Sequence, residues 1–421
     1  MYFIYTSLLA LGLIFTSPYY LVRFRKYLPT LGERFGFLKL PQLRRAVWIH
    51  AVSVGEVKAV ERLLERLREQ FPEKTLVVST STPAGQQLAR ERRDVVNHTF
   101  YFPLDFPWCV RRTLNRVDPE MVIIAETEIW PNFLRACRLR GVRVVMINGR
   151  ISDRSFPRYR LARRWLRRVF EDYTMIGMQS ETDRRRIEAV GANPRKVAVL
   201  GNLKYDAVRS QAANVEHRLA VFLKAWTPLW IAASTMPGED ELVLDAFEEA
   251  VRSHPALKLL IAPRHTARFD AVAGMIRQRN LKMLRRSQLR ASAGHSGPAQ
   301  VLLLDTIGEL AHLFPFATLV YMGGTLVPTG GHNVLEPARC GKPIVFGPHM
   351  ENFRDIARLF VDGNAAIQID GAAELAPAVV NLLSDPRRAA QLGLNALAIV
   401  EQNAGATERV LQILEPAEAR R

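Results

Sequence analysis

Apolar residues along the chain follow two rhythms. Short, nearly continuous apolar runs occur at 47–52, 75–79, 99–102, 121–125, 142–147, 174–178 and 197–200. Between them, apolar residues repeat at three- and four-residue spacing, as in Val60, Leu63, Leu64 and Leu67. The first rhythm predicts strands buried on both faces, and the second predicts amphipathic helices. Their alternation predicts parallel βαβ units in a doubly wound sheet. The pattern restarts at 229–234 and continues through 257–262, 301–304, 317–321 and 343–346. Residues 207–228 carry no clear strand and read as a linker. A chain of 421 residues is too long for one ordinary core. The predicted architecture is α/β, with Rossmann-like domains over 27–206 and 229–421. The last helices, beyond about residue 372, can cross back to the first domain.

Parallel strands end on one edge of their sheet, where ligands bind. In the first half, Ser53-Val-Gly-Glu56, 79–85 and Glu126-Thr-Glu128 fall at such ends. In the second half, Ser234-Thr235, Pro263-Arg-His265, 305–310 and 322–337 do. The last of these is a strand, a glycine-rich loop holding Gly323, Gly324, Gly330 and Gly331, and a helix start at 333–340. Glycines let backbone approach a ligand, and a helix N-terminus offers N–H groups to an anion. A tight turn capped by Asn333 is the plainer alternative. Arg264, at a strand end, can hold a phosphate bidentately. Ser234 and Thr235 fit either a ligand loop or helix capping. His332 fits a loop hydrogen-bonder better than an acid.

At the N-terminus, residues 3–22 form a run of twenty without a charge, followed by Arg23, Arg25 and Lys26. That is the length of a membrane helix, with Tyr19 and Tyr20 and a basic flank on its cytoplasmic side. A cleaved signal peptide carries its charge before the apolar run, so residues 1–26 read as a membrane anchor. Thr6, Ser7, Ser17 and Pro18 make the helix modest, and lying in one leaflet is an alternative to spanning. The stretch 31–37 reads as a compact linker in which Glu33 forms a surface salt bridge, with a functional role as the alternative.

Charge sharpens the membrane reading. The chain carries 58 Lys and Arg against 41 Asp and Glu, a formal net charge of +17. Residues 1–210 hold 37 basic and 20 acidic residues, and the remainder is neutral. Such a basic half suits nucleic acid or an anionic membrane. Residues 158–170 place six arginines on one segment with Leu161, Trp165, Leu166, Val169 and Phe170. That is either a helix on a membrane surface or an ordinary helix whose apolar stripe faces the core.

Several chemistries lack their signatures. The three cysteines, Cys109, Cys137 and Cys340, are far apart and show no CxxC spacing, which argues against a disulfide framework and a zinc site and fits a reducing compartment. No dinucleotide, Walker A, zincin or nucleophile-elbow pattern is present. Nor does an Asp-x-Asp follow a strand, so a metal bound to diphosphate is not indicated. Glu126-x-Glu128 is the one pair that can bind a metal, and nothing else in the sequence supports it. Two Rossmann-like halves suit a sugar-nucleotide transferase.

Six motifs then carry a family resemblance. They are His50-Ala-Val-Ser-Val-Gly-Glu56, Glu126-Thr-Glu-Ile-Trp-Pro131, Asn148-Gly-Arg-Ile-Ser152, Gly201-Asn-Leu-Lys204, Pro263-Arg-His265 and Gly323-Gly to Gly-Gly-His-Asn-Val-Leu-Glu-Pro337. In order and in coverage of nearly the whole chain, they resemble the 3-deoxy-D-manno-octulosonic acid (Kdo) transferases of Gram-negative bacteria. The resemblance implies a GT-B glycosyltransferase with two Rossmann-like domains facing a cleft and an N-terminal anchor. It implies CMP-Kdo as donor, an anionic lipid A precursor as acceptor, the cytoplasmic side of the inner membrane as location, and an inverting reaction without metal or other cofactor. Nucleic acid is then not a partner.

The resemblance makes Glu56 the base and Glu126 a second acid of the site. It implies a CMP-Kdo site of Pro263, Arg264, Ile307, Gly308, Glu309, Asn333, Val334, Leu335 and Glu336. From the residues alone, Glu56 at a helix start is favoured as the ionised form, and complementing the helix dipole is its plainer role. Glu126 has pairing with an arginine as its plainer role. Thr325 and Thr329 depart from the family's loop at positions where tolerance is expected. The rival readings are another GT-B transferase or epimerase using a UDP-sugar, and a non-catalytic basic membrane- or nucleic-acid-binding protein.

Overall fold

A computed structural model describes residues 1–23, 25–207, 216–289 and 299–415. The chain forms two compact units, Met1–Ala207 with Asn403–Arg421, and Val208–Gln402. The first holds strands β1 (Ala46–His50), β2 (Leu76–Thr80), β3 (His98–Tyr101), β4 (Pro119–Ala125), β5 (Arg143–Gly149), β6 (Met175–Met178) and β7 (Val197–Val199). All pair in parallel, in the order β3-β2-β1-β4-β5-β6-β7. Every residue of β1 is buried. Its alternate side chains enter different cores: Ala46 and Trp48 on one face, Val47 and Ile49 on the other. This explains the unbroken apolar run, since a strand covered on both faces has no polar side. Each fully buried Val or Ile contributes about 1.5–3 kcal/mol.

The second unit repeats the plan with β8 (Leu229–Thr235), β9 (Lys258–Pro263), β10 (Met283–Arg285), β11 (Val301–Leu303), β12 (Leu319–Met322), β13 (Ile344–Phe346) and β14 (Ile367–Gln368). Their order is β10-β11-β9-β8-β12-β13-β14, again all parallel. Strand order therefore reverses around β1 in one sheet and around β8 in the other. The short edge strands β10 and β14 escape the apolar pattern, because Arg285 and Gln368 make them half polar. Of the linker stretch, residues 208–215 lie outside the described residues, and His217–Lys224 is a helix.

The chain's last described helix, Ala406–Leu414, packs Val410, Leu411 and Leu414 with Val60, Leu63 and Leu64 of the first unit. Asp206 fixes its start by accepting from Gly405 N at 2.7 Å and Thr407 N at 2.5 Å. The N-terminal helix Tyr2–Arg23 does not stand apart from the first unit. Tyr2 Oη donates to Asp172 at 2.7 Å, Asn132 Nδ2 donates to Thr6 Oγ1 at 2.9 Å, and Tyr5 lies against Trp165. Phe3, Ile4, Leu8, Leu11, Ile14 and Phe15 remain exposed. Among the described residues no helix is long and apolar enough to cross a membrane. The side chains from Tyr19 to Lys26 lie outside those described.

Two local expectations change. The arginine-rich segment is two helices, Phe156–Leu161 and Arg163–Phe170, broken at Ala162. Leu166, Val169 and Phe170 are buried and Trp165 packs on the core, so only Leu161 points outward. Glu33 forms no surface salt bridge among the described residues. Its carboxylate accepts from Tyr101 N at 2.9 Å, at the end of β3.

Candidate active site

Each sheet carries its unusual carboxylates at its point of strand reversal. In the first unit, β1 runs into the helix Val54–Gln70 through Ser53, whose side chain caps the helix at Glu56 N. Glu56 reaches back to accept from Val52 N at 2.7 Å and from Ser53 Oγ at 3.0 Å. This reciprocal arrangement is a variant of the capping box, with Val52 N in place of the N–H of the N-cap Ser53, which explains why Ser-x-x-Glu starts the helix. The neighbouring strand β4 ends at Glu126, whose φ is +61°. A non-glycine residue in the left-handed region stores strain of order 1–3 kcal/mol, of the kind that clusters at functional sites. The turn then delivers Glu128, and Tyr173 Oη donates to the Glu128 carbonyl at 2.6 Å.

The three carboxylates interact. Burial pushes Glu56 up to about 7, and the charges of Glu126 and then Glu128 push in the same direction against its two hydrogen bonds. Burial also pushes Glu128 up to about 7, with the Glu126 charge adding and Trp130 opposing. The helix start was expected to favour ionised Glu56, but a dipole effect of about 0.3–1 kcal/mol is outweighed by desolvation and two like charges. The result is a carboxylate half-ionised near neutrality, as a general base requires. His50, the first residue of the same motif, is fully buried and stacked on Phe102 with ring centroids 3.9 Å apart. Burial pushes it down to about 3, so it stays neutral.

In the second unit, four adjacent strands, β11, β9, β8 and β12, present their ends side by side. Pro263 closes β9 and is buried, while the side chain of Arg264 is exposed. Ile307 is 80 % exposed. Gly308 follows it, and the Glu309 carboxylate is engaged by Arg286 at 2.7 Å and by the Thr306 hydroxyl. Asn333 Oδ1 accepts from Leu335 N at 3.2 Å, and Asn333 Nδ2 donates to Glu336 at 3.3 Å. Val334 and Leu335 are fully buried, so only their backbone can face a ligand. The helix they begin is a single short turn, Leu335–Arg339.

The glycine-rich loop departs from expectation. Its first half does not offer free N–H groups. Gly324 N, Thr325 N and Leu326 N donate at 2.6, 2.9 and 2.9 Å to Glu239, a residue the sequence reading did not single out. Gly323 is required because a Cβ there would lie 2.6 Å from Ser234 O and 2.7 Å from Thr235 Cα, and Gly324 has φ +71°. Thr325 is not a tolerant position. It is fully buried, donates to Met322 O at 2.6 Å and accepts from Gly347 N at 2.8 Å. Thr235 is committed as well, its hydroxyl donating to Asp240 at 2.5 Å. Among the described residues no group of three or more His, Cys, Asp or Glu side chains is arranged to hold a metal ion.

Residues 29–207 match the family described as 3-deoxy-D-manno-octulosonic-acid transferase (kdotransferase). The chain is 33% identical to the 3-deoxy-D-manno-octulosonic acid transferase of Haemophilus influenzae, over 98% of each chain. It is 32% identical to the enzyme of the same name from Bordetella pertussis, over 92% of this chain and 91% of that one. Among solved structures it resembles UDP-GlcNAc 2-epimerase from Neisseria meningitidis bound to UDP-GlcNAc, with a TM-score of 0.57. The identity there is 12%, and 88% of this chain and 99% of that one are covered. At that identity the likeness concerns the fold alone, which is two-domain GT-B.

Proposed function

The chain belongs to the Kdo transferases, glycosyltransferases of lipopolysaccharide biosynthesis, and from that membership we propose a mechanism in which Glu56 is the base. The donor is CMP-Kdo and the acceptor an anionic lipid A precursor. The acceptor hydroxyl attacks the anomeric carbon of Kdo. Glu56 takes its proton, the bond from that carbon to the CMP phosphate oxygen breaks, and CMP departs. A single displacement inverts the anomeric centre. The observation that carries this reading is Glu56 itself, buried at the strand reversal, beside two like charges, and raised to about 7. Glu126, next to it, holds the acceptor or stabilises positive charge on the sugar.

The departing phosphate is met by Arg264 and by backbone N–H groups near Ile307–Glu309 and Asn333–Leu335. Glu336 accepts from the ribose hydroxyls. CMP leaves as a monophosphate, so we assign the transfer no metal. The acceptor stays in its bilayer, and the first unit meets it at the cytoplasmic face of the inner membrane. The exposed apolar stripe Phe3, Ile4, Leu8, Leu11, Ile14 and Phe15 supports this placement. The six exposed arginines of 158–168 add attraction to anionic headgroups.

The test is incubation with CMP-Kdo and a lipid A precursor, followed by mass analysis, with UDP-sugars in parallel. The expected product is the acceptor enlarged by Kdo. No mass increase with CMP-Kdo, or an increase with a UDP-sugar instead, contradicts the reading.

A further inference from the structure

Three successive backbone N–H groups converging on one point form an anion-binding nest, the device that cradles phosphate in many nucleotide sites. Gly324, Thr325 and Leu326 make such a nest, but the anion in it belongs to the protein. The Glu239 carboxylate accepts from all three. It also accepts from Met236 N at 2.9 Å and Tyr321 Oη at 2.8 Å, and the residue is fully buried. Five donors saturate a carboxylate whose burial without partners is strongly unfavourable.

The neighbouring residue works on the other side. Asp240, also fully buried, accepts from the Thr235 hydroxyl and pairs with Arg268, which lies just beyond Pro263-Arg264-His265. Thr235 O in turn accepts from Arg264 N at 2.9 Å. Two adjacent carboxylates between β8 and its helix therefore tie that turn to the loop after β12 and to the loop after β9. Those are the loops of the reversal point, where an open parallel sheet binds its ligand.

We propose that Glu239 is a positioning residue of the donor site, an internal anion that fills the glycine-rich nest and so fixes the loops that grip CMP-Kdo. The proposal rests on the donor-site reading above and refines it. The Gly323–Leu326 turn does not bind the donor phosphate, because its N–H groups are already engaged. Phosphate recognition is left to Arg264 and to the segments around 307–309 and 333–335. Tyr321 supports the geometry: burial and the Glu239 charge both push its phenol well above the ordinary range, so it remains a donor.

The test is Glu239→Gln in the full-length protein, read by steady-state kinetics in CMP-Kdo and, separately, in acceptor. An amide facing five donors loses acceptor capacity and sets N–H against N–H. The expected result is a rise in the donor KM of about tenfold to a hundredfold, the scale of a small misplacement, with the acceptor KM within twofold of the parent. Amide hydrogen exchange of the 322–331 peptide is expected to quicken, while the first unit's peptides do not change. Glu239→Asp is expected to restore part of the donor affinity. Should Glu239→Gln fail to fold, Tyr321→Phe removes one donor of the five and is read the same way, with a smaller shift.

An unchanged donor KM together with unchanged exchange in a folded variant overturns the proposal. So does an equal loss for donor and acceptor. If the parent protein transfers no Kdo, the donor reading fails first. The exchange experiment, which needs no substrate, still decides whether Glu239 holds the loop.

Discussion

The two units apply one plan to opposite ends. Both are seven-stranded parallel sheets whose order reverses at the first strand, and both place a glutamate at the start of the helix after it. In the second unit that glutamate, Glu239, has five donors and sits in a nest. In the first, Glu56 has two donors and faces two further carboxylates delivered by β4. A saturated carboxylate holds structure in place, whereas an under-satisfied one among like charges is ready to take a proton. The difference lies in what the neighbouring strand brings: three N–H groups after β12, and Glu126 and Glu128 after β4.

The largest effect expected from breaking this contrast is loss of turnover in Glu56→Gln. A general base contributes about 10²–10⁴-fold, and that loss should fall on kcat with the donor KM nearly unchanged. Glu336→Ala should do the reverse, raising the donor KM with a smaller change in kcat. If both variants lost kcat alike, the assignment of chemistry to one unit and donor binding to the other would fail.

A second effect concerns stability against pH. Glu56 is raised from its ordinary 4.5 to about 7 in the folded protein, so between those values the native state holds a proton that the unfolded chain has lost. The stability this proton provides is fully present below about 4.5 and is lost as pH rises through 7. Glu56→Gln removes the titration. Relative to the parent it should gain stability between pH 5 and pH 8, by about 3 kcal/mol at most. Paired melting curves across that range measure the gain, and parallel curves would falsify the burial argument.

A smaller effect is expected at Thr325. Replacing it with Val leaves Met322 O and Gly347 N without the partner that Oγ1 supplies. The cost is about 1–3 kcal/mol, seen as a drop in Tm of several degrees. The opposite outcome, an unshifted Tm, would restore the tolerance that the loop's sequence suggests.

Most of this plan is legible in the sequence, because strands buried on both faces leave continuous apolar runs that few other structures produce. The edge strands β10 and β14 are not, being three and two residues long with Arg285 and Gln368 among them. Glu56 and Glu126 are legible by position and motif. The raised titration of Glu56 is not, since it depends on burial and on a charge brought by a strand some seventy residues later. Glu239 is the least legible. Pro-Gly-Glu-Asp reads only as a loop and helix start, and four of the carboxylate's five donors come from Tyr321–Leu326, more than eighty residues along the chain. The Ala162 break shows a different limit. Apolar and basic residues over 158–170 fit one helix by spacing, but Leu166, Val169 and Phe170 serve the core while Leu161 falls on a separate turn.

The pH dependence of kcat/KM in the parent and in Glu126→Gln tests the central claim most directly. For the parent, activity should rise with pH through about 7, as Glu56 loses its proton. Removing the Glu126 charge should move that midpoint downward, toward the ordinary carboxylate range, whatever its effect on the maximal rate. A midpoint that stays in place in Glu126→Gln, or a parent profile flat between pH 5 and pH 8, would contradict the account of Glu56 as a base tuned by its neighbours.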